Sequence, residues 1–404
     1  MKDLIILFSV LILLGVLVKL KIDIGVTILL SALAFAILKG FSLARIIKSF
    51  YYVSISWETI KITLIVVVIT YFAELLKEAN FLSEMVKSFS AISSPRFFLP
   101  FFAFIIGALP MPGGALVSAP LVEEGGKSSN TAPEEKTAIN FWFRHIWEPV
   151  SPLYPDMILA SSILSVSILH IIAIQWPLPL FMFFSGLIFL IPSISNKNIK
   201  RRKGNIQIYQ ELTLSVMPIA IVLLLILIFR MSIIVAGLIG IGYTIVFGKL
   251  KLKNLVKAFR WKFLLKLAIL MFSIFYLKYI VIQSNIINGV YTYLNVLNVP
   301  AFLILFFLPF VVSLMTGAAA ATVGVSYPLL LPLLKTPQLN AIHLFIAFLG
   351  GWTALMLTPT HLCLSLSIEY FNAKIAKVYQ LIMKNVLFLL LASVLWIIIM
   401  QRFY

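Results

Sequence analysis

The residues able to do chemistry sit in four polar interruptions of an otherwise apolar chain. The densest holds Asn140, Arg144, His145, Glu148, Ser151 and Asp156, broken by Pro149, Pro152 and Pro155. If the flanking runs cross a bilayer, each charge there costs roughly 2.5–3.5 kcal/mol on insertion scales, so it faces a cavity or a partner. Two readings stand side by side. In one, Glu148 takes a proton or helps hold a cation, with Asn140, Ser151 and Asp156 nearby, while Arg144 or His145 attracts a substrate carboxylate. In the other, Arg144 and Glu148 pair across i,i+4 of one helix and only orient it.

The second interruption is Thr358-Pro359-Thr360-His361, in which Thr358 is a candidate ion ligand and Thr360 and His361 candidate substrate contacts. The third, Pro110-Met111-Pro112-Gly113-Gly114, leads to Ser118. The fourth runs from Thr316-Gly317 through Thr322 to Ser326. Paired prolines remove amide donors and adjacent glycines permit a sharp turn. A half-helix starting after such a break presents free N–H groups and a positive dipole end to an anion. A half-helix ending before it presents free carbonyls suited to Na⁺. Pro112, Gly113, Gly114, Ser118, Thr316, Gly317, Thr322 and Ser326 are therefore candidate substrate contacts. The small residues from Gly317 to Ala321 serve close helix packing equally well.

Other polar residues carry less. His170 and His343 lack acidic neighbours and read as packing. Glu123, Glu124, Glu134 and Glu135 stand among glycine, serine and proline and read as a solvated loop. The sole cysteine, Cys363, excludes an internal disulfide and a cysteine cluster. His145 and Glu148 lack a set of partners for a metal, so no metal site is expected.

The elements that must position these groups are hydrophobic helices. Of 404 residues, 62% are hydrophobic and 11% charged, against about 25% charged in soluble domains. Only a bilayer solvates such a surface. Spans are expected near 4–18, 22–38, 62–79, 178–192, 211–229, 232–248, 263–283 and 379–400. Broken apolar segments are expected over 97–122, 138–174, 301–334 and 339–371. Lys2 is followed by no A-x-A-like site, so no cleavable signal is expected. The net charge of +18 concentrates in the loops 193–210 and 249–262. It reads as cytoplasmic positive charge and not as a nucleic-acid surface.

The interruptions recur in order. Val117-Ser118-Ala119-Pro120-Leu121 returns as Val325-Ser326-Tyr327-Pro328-Leu329. Trp142 followed by Pro149 returns as Trp352 followed by Pro359. Amphipathic stretches at 81–92 and 286–297 precede the first break of each half. Paired, interrupted apolar segments of this kind mark transporter binding sites. The fold expected is an all-α polytopic membrane protein with an inverted-topology repeat, two re-entrant hairpins and two broken transmembrane helices. Residues 1–192 form the first repeat, with scaffold helices in 1–80 and hairpin plus broken helix in 96–174. Residues 193–404 form the second, with scaffold helices in 211–283, hairpin plus broken helix in 300–371, and a last helix over 379–400. Inversion puts loop 123–137 inside and loop 335–338 outside. It also puts segment 39–61 opposite 249–262, despite Lys39, Arg45, Lys48 and Lys61 in the former.

Three motifs carry a family resemblance: Leu109-Pro110-Met111-Pro112-Gly113-Gly114-Ala115-Leu116-Val117-Ser118-Ala119-Pro120; Arg144-His145-Ile146-Trp147-Glu148 continuing to Pro152-Leu153-Tyr154-Pro155; and Thr358-Pro359-Thr360-His361-Leu362-Cys363-Leu364 ending in Glu369-Tyr370-Phe371. Together they resemble a prokaryotic integral membrane family of unknown function, distantly akin to the gluconate and citrate permeases of the ion-transporter superfamily. The resemblance implies a transport domain moving elevator-fashion against a dimeric scaffold, driven by Na⁺ or H⁺. It implies carboxylate contacts at Pro112 to Ser118 and Thr316 to Ser326. No Ser-Asn-Thr triplet stands at either tip, which sets this chain apart from the dicarboxylate members.

The leading expectation is a multi-pass protein of the cell (inner) membrane, a homodimer without nucleic-acid partners. It would carry a small organic anion, with Na⁺ or H⁺ as coupling ion and no other cofactor. The alternatives are an ion channel or passive exporter, or an intramembrane enzyme. Against the enzyme, there is no H-E-x-x-H motif, close aspartate pair or P-loop, although a serine with His145 is compatible with triad chemistry, which is spatial.

Overall fold

The computed structural model describes residues 2–92, 95–111, 114–129, 131–192, 194, 206–286, 289, 296, 298–335 and 338–402. Helices account for nearly all of them. The first half comprises α1 (Lys2–Lys19), α2 (Ile24–Leu38), α3 (Leu43–Ile55), α4 (Trp57–Glu78), α5 (Phe81–Ile92), α6 (Pro95–Gly107), α7 (Ala115–Ser129), α8 (Pro133–Arg144), α9 (Pro155–Leu164), α10 (Ile168–Gln175) and α11 (Pro177–Phe189). The second comprises α12 (Ile206–Leu227), α13 (Ile233–Phe247), α14 (Leu252–Ala258), α15 (Trp261–Gln283), α16 (Ala301–Thr316), α17 (Ala319–Leu334), α18 (Ala341–Leu357), α19 (Leu362–Phe371) and α20 (Ile375–Met400). Side-chain oxygens start many of them: Asp23, Ser42, Ser56, Ser167, Ser232 and Asn340 each accept a first-turn amide.

Five stretches of described residues are long and apolar enough to cross a membrane: 57–78, 206–227, 252–283, 341–371 and 375–400. A sixth, Pro155–Leu164 with Ile168–Gln175, is bent by 111°. The helices flanking the hairpin tips are too short to cross. At 1.5 Å per residue, the 13 residues of α6 span about 20 Å of a roughly 30 Å hydrocarbon core. α6 packs back on α7, and α16 on α17, as the two arms of a hairpin do.

The repeat is written in the backbone. Left-handed residues end equivalent helices in the two halves: Lys21 (φ 60) with Arg230 (φ 53), Gly40 (φ 77) with Lys249 (φ 49), Asn80 (φ 59) with Asn285 (φ 51), and Ser165 (φ 51) with Asn372 (φ 50). Packing exchanges partners between the halves. α9 lies on α17, and its counterpart α19 lies on α7. α2 lies on α15, and its counterpart α13 lies on α4. On the symmetry axis the equivalent Trp142 and Trp352 meet edge to face, 5.6 Å between centroids.

The same exchange shows the inversion. Arg45 of α3 donates to the last carbonyl of α15, Gln283, at 3.1 Å, and Phe50 packs edge to face against Phe272 and Tyr276. Its counterpart α14 meets the C-terminal half of α4. There Tyr71 donates to the Leu255 carbonyl, Lys257 pairs with Glu78 at 2.9 Å, and Arg260 pairs with Glu74 at 3.0 Å. α4 and α15 therefore run antiparallel, with α3 and α14 at opposite ends. The charges of 39–61 are partly absorbed locally, Lys39 by Asp3 and Glu58 by Lys278, each at 2.8 Å.

Three readings change. Glu123 belongs to helix α7, not to a loop, and pairs with Lys136 at 3.0 Å. Glu135 caps α8 by accepting from the Ala132 amide. The i,i+4 pair of Arg144 and Glu148, one of the two readings of that stretch, does not form. α8 ends at Arg144, and the chain goes on in turns through Val150, so the two side chains no longer share a helix face. The 81–92 stretch is helix α5. Its counterpart at 286–297 lies mostly outside the described residues.

Candidate functional site

Each helix break faces a hairpin tip, and the two breaks face each other. At the first tip α6 stops at Gly107, and the chain reaches α7 through Leu109 to Gly114, of which Pro112 and Gly113 lie outside the described residues. Gly114 lies against the guanidinium of Arg144, where a Cβ would collide with it. Arg144 Nη2 donates to the Met111 carbonyl at 3.0 Å. Its Nη1 is buried with no hydrogen-bond partner. The Tyr154 hydroxyl, just before α9, donates to the Gly107 carbonyl at 2.5 Å. Arginine, glycine and tyrosine thus tie the tip to the break.

At the second tip Gly317 takes a left-handed conformation (φ 62), and any side chain there would meet Thr360. The Leu314 carbonyl accepts from Thr358 at 2.7 Å, and the Thr358 and Thr360 hydroxyls lie 2.8 Å apart. One carbonyl and two hydroxyls form an oxygen cluster of the kind that suits a hard monovalent cation. His361, the N-cap residue of α19, places Nδ1 2.9 Å from the Gly317 carbonyl.

Between the breaks, Nε2 of His145 lies 2.9 Å from Nε2 of His361, and Cys363 completes a cluster of three donor atoms within 4.8 Å of one another. Glu148 keeps one buried carboxylate oxygen without a partner. Arg144, Asp156 and Cys363 are all within its electrostatic reach. Asp156 faces the first-turn amides of α9, its own and that of Met157. It also lines a cavity of about 20 Å³, with Thr322, Tyr327 and Trp352.

The fold thus gathers Gly114, Arg144, His145, Glu148, Asp156, Gly317, Thr358, Thr360 and His361. Others it turns elsewhere. Ser118, Thr316, Thr322 and Ser326 donate to carbonyls one turn back along the chain, although Thr322 still lines the cavity beside Asp156. Ser151 accepts from the Leu153 amide within the turn. Asn140 donates to the Ala115 carbonyl at 3.2 Å and the Ser367 hydroxyl at 2.9 Å, bracing α8 to α7 and α19. Cys363, Tyr154 and the carbonyls of Met111 and Leu314 escaped the sequence reading. The signal for Cys363 was its place two residues beyond His361, which matters only once His145 is known to lie opposite.

Fold and site together define a polytopic α-helical membrane protein with an inverted repeat, in which two re-entrant hairpin tips converge on two helix breaks. The chain belongs to the family described as "Protein of unknown function (DUF401)", whose model matches residues 1–400. The fold is similar to the crystal structure of the Alcanivorax borkumensis YdaH transporter, whose description speaks of an unusual topology. The two share 16% identity over 90% of each chain, with a TM-score of 0.63. A search of curated proteins returns no match to this chain.

Proposed function

We propose that this protein is a secondary active transporter of a small carboxylate-like organic anion, coupled to Na⁺ or H⁺. The observation that carries the reading is Arg144: a buried guanidinium, pinned by one nitrogen to a hairpin tip and left free at the other. A buried cation with an open donor is costly unless something anionic completes it. A carboxylate accepts from a guanidinium in a matched geometry. The likeness to a solved transporter supports the class, and the motif resemblance to gluconate and citrate permeases supports the anion.

Coupling follows from the same neighbourhood. Glu148 carries an unpartnered buried oxygen that a proton would satisfy. Leu314, Thr358 and Thr360 offer oxygens to Na⁺. In this proposal the hairpins and broken helices, α6–α9 and α16–α19, move as one body against α1–α4 and α12–α15, within a homodimer in the inner membrane. The basic loops 193–210 and 249–262 face the cytoplasm. The test is uptake of labelled mono-, di- and tricarboxylates into proteoliposomes, with an imposed Na⁺ or H⁺ gradient. One class should accumulate against its gradient. In Glu148→Gln any proton dependence should vanish while exchange persists. Downhill flux insensitive to both gradients would instead indicate a passive pore.

A further inference from the structure

We propose that His145, His361 and Cys363 form a binding site for one thiophilic metal ion of the Zn²⁺ class, joining the two repeats at their helix breaks. The inference goes beyond the anion reading and stands without it.

Hydrogen bonding fixes both imidazoles. Nδ1 of His145 lies 2.6 Å from the Phe141 carbonyl, and Nδ1 of His361 lies 2.9 Å from the Gly317 carbonyl. A carbonyl only accepts, so each Nδ1 carries the hydrogen, and a neutral ring then keeps its lone pair on Nε2. The two Nε2 atoms face each other at 2.9 Å. Two neutral rings held this way oppose lone pair to lone pair, so the point between them calls for a cation. A shared proton would serve two nitrogens, but a third donor converges on the same point. Sγ of Cys363 lies within 4.8 Å of a ring nitrogen of each histidine. Thiolate with imidazole is a soft and borderline ligand set, which favours zinc-like ions over Na⁺ or Mg²⁺.

The supporting shell agrees. Metal-bound histidines characteristically donate their other N–H to a carbonyl or carboxylate, which fixes the tautomer and strengthens the ligand. Both do so here. With Zn–N near 2.0–2.1 Å and tetrahedral angles, the nitrogens would stand roughly 3.3–3.4 Å apart, so the rings part by about half an ångström to admit the ion. Binding converts the Cys363 thiol to thiolate and releases its proton to solvent. Arg144 nearby opposes a further positive charge. The Cys363 thiolate, in electrostatic reach of Arg144, offsets it. Cys363 is the only cysteine.

The test uses the full chain, purified in detergent and stripped with a chelator, then titrated with Co²⁺ as an optical probe and Zn²⁺ as competitor. The expected result is one Co²⁺ per chain, a thiolate-to-cobalt charge-transfer band, and displacement by Zn²⁺. Cys363→Ser should lose the band. His361→Gln and His145→Gln should each weaken binding at least tenfold. His170→Gln, exposed and remote, should bind as wild type. Helical circular dichroism and elution volume report that each variant is folded. Absence of saturable binding, or binding indifferent to Cys363→Ser and to both histidine variants, overturns the proposal. Anion uptake by the stripped protein is measured separately, so a failed metal site and a failed transport reading give different results.

Discussion

Arg144 shows how one residue can be both anchored and unfinished. Its backbone ends α8, with Gly107 packed on its carbonyl, and its side chain closes on Gly114. A Cβ at Gly107 would strike the Arg144 backbone, and one at Gly114 would push its guanidinium aside. Gly317 plays the matching part at the second tip, where its left-handed backbone sets the carbonyl that orients His361. Gly317→Ala would place a Cβ in a left-handed residue, at a cost of about 1–2 kcal/mol. It would also overlap the Thr360 backbone. The expected outcome is a clear fall in melting temperature and, because His361 loses its anchor, weaker ligand binding in the folded fraction. A melting temperature equal to wild type would show that the tip is free to rearrange.

Helical elements position these residues through a few long-range polar ties. Asn140 is buried and bridges α7, α8 and α19. Asn140→Leu leaves the Ala115 carbonyl and Ser367 hydroxyl without that donor. Each unsatisfied buried group costs about 1–3 kcal/mol, so thermal unfolding in detergent should show destabilisation of that order, whereas Asn385→Leu should cost less. Asn385 bonds only within its own helix, to Leu381. Elements were the most legible level of the sequence. The expected spans 62–79, 211–229, 263–283 and 379–400 fall largely in helices long enough to cross, whereas those at 22–38, 178–192 and 232–248 are shorter apolar helices. The hairpins and breaks follow from Pro110, Pro149 and Pro359, because a bilayer leaves few other ways to satisfy the backbone. What escaped was local. The i,i+4 geometry of Arg144 and Glu148 assumed a helix that Pro149 terminates early. The site escaped in part for a related reason. Arg144, His145, Glu148 and His361 announced themselves as charges in apolar sequence, but the contact between His145 and His361 crosses the symmetry axis, and no local pattern encodes it.

At the scale of the whole molecule, the repeat builds two kinds of surface. The breaks and hairpin tips are held by hydrogen bonds, whereas the seam between the outer helices and the hairpins is mainly apolar. Gly324 of α17 packs on Ile274 of α15, and Gly15 of α1 packs on Met315 of α16. In each case a glycine receives a large side chain, and Ser162 of α9 donates to Glu58 of α4 at 2.6 Å, so motion of the hairpin body against the outer helices would break that bond. A cysteine pair at Ile274 and Gly324, with the buried Cys363 left in place, should halt uptake on oxidation and recover it on reduction. Uptake indifferent to a demonstrated crosslink would rule out relative motion along that seam.

If Arg144 receives a small organic anion where the hairpins meet the breaks, as proposed, stabilisation by that anion depends on its guanidinium. The most direct measurement is a thermal-shift panel on purified protein in detergent, with carboxylates, amino acids and phosphates in Na⁺ and in choline buffers at two pH values. Wild type and Arg144→Gln would be run side by side. A ligand at 100 times its dissociation constant adds about 2.7 kcal/mol to the folded state. The account expects one anion class to stabilise wild type, more strongly in Na⁺ or at the lower pH, and to leave Arg144→Gln unmoved. Equal stabilisation of both proteins, or no stabilisation of wild type by any anion in any buffer, would contradict it.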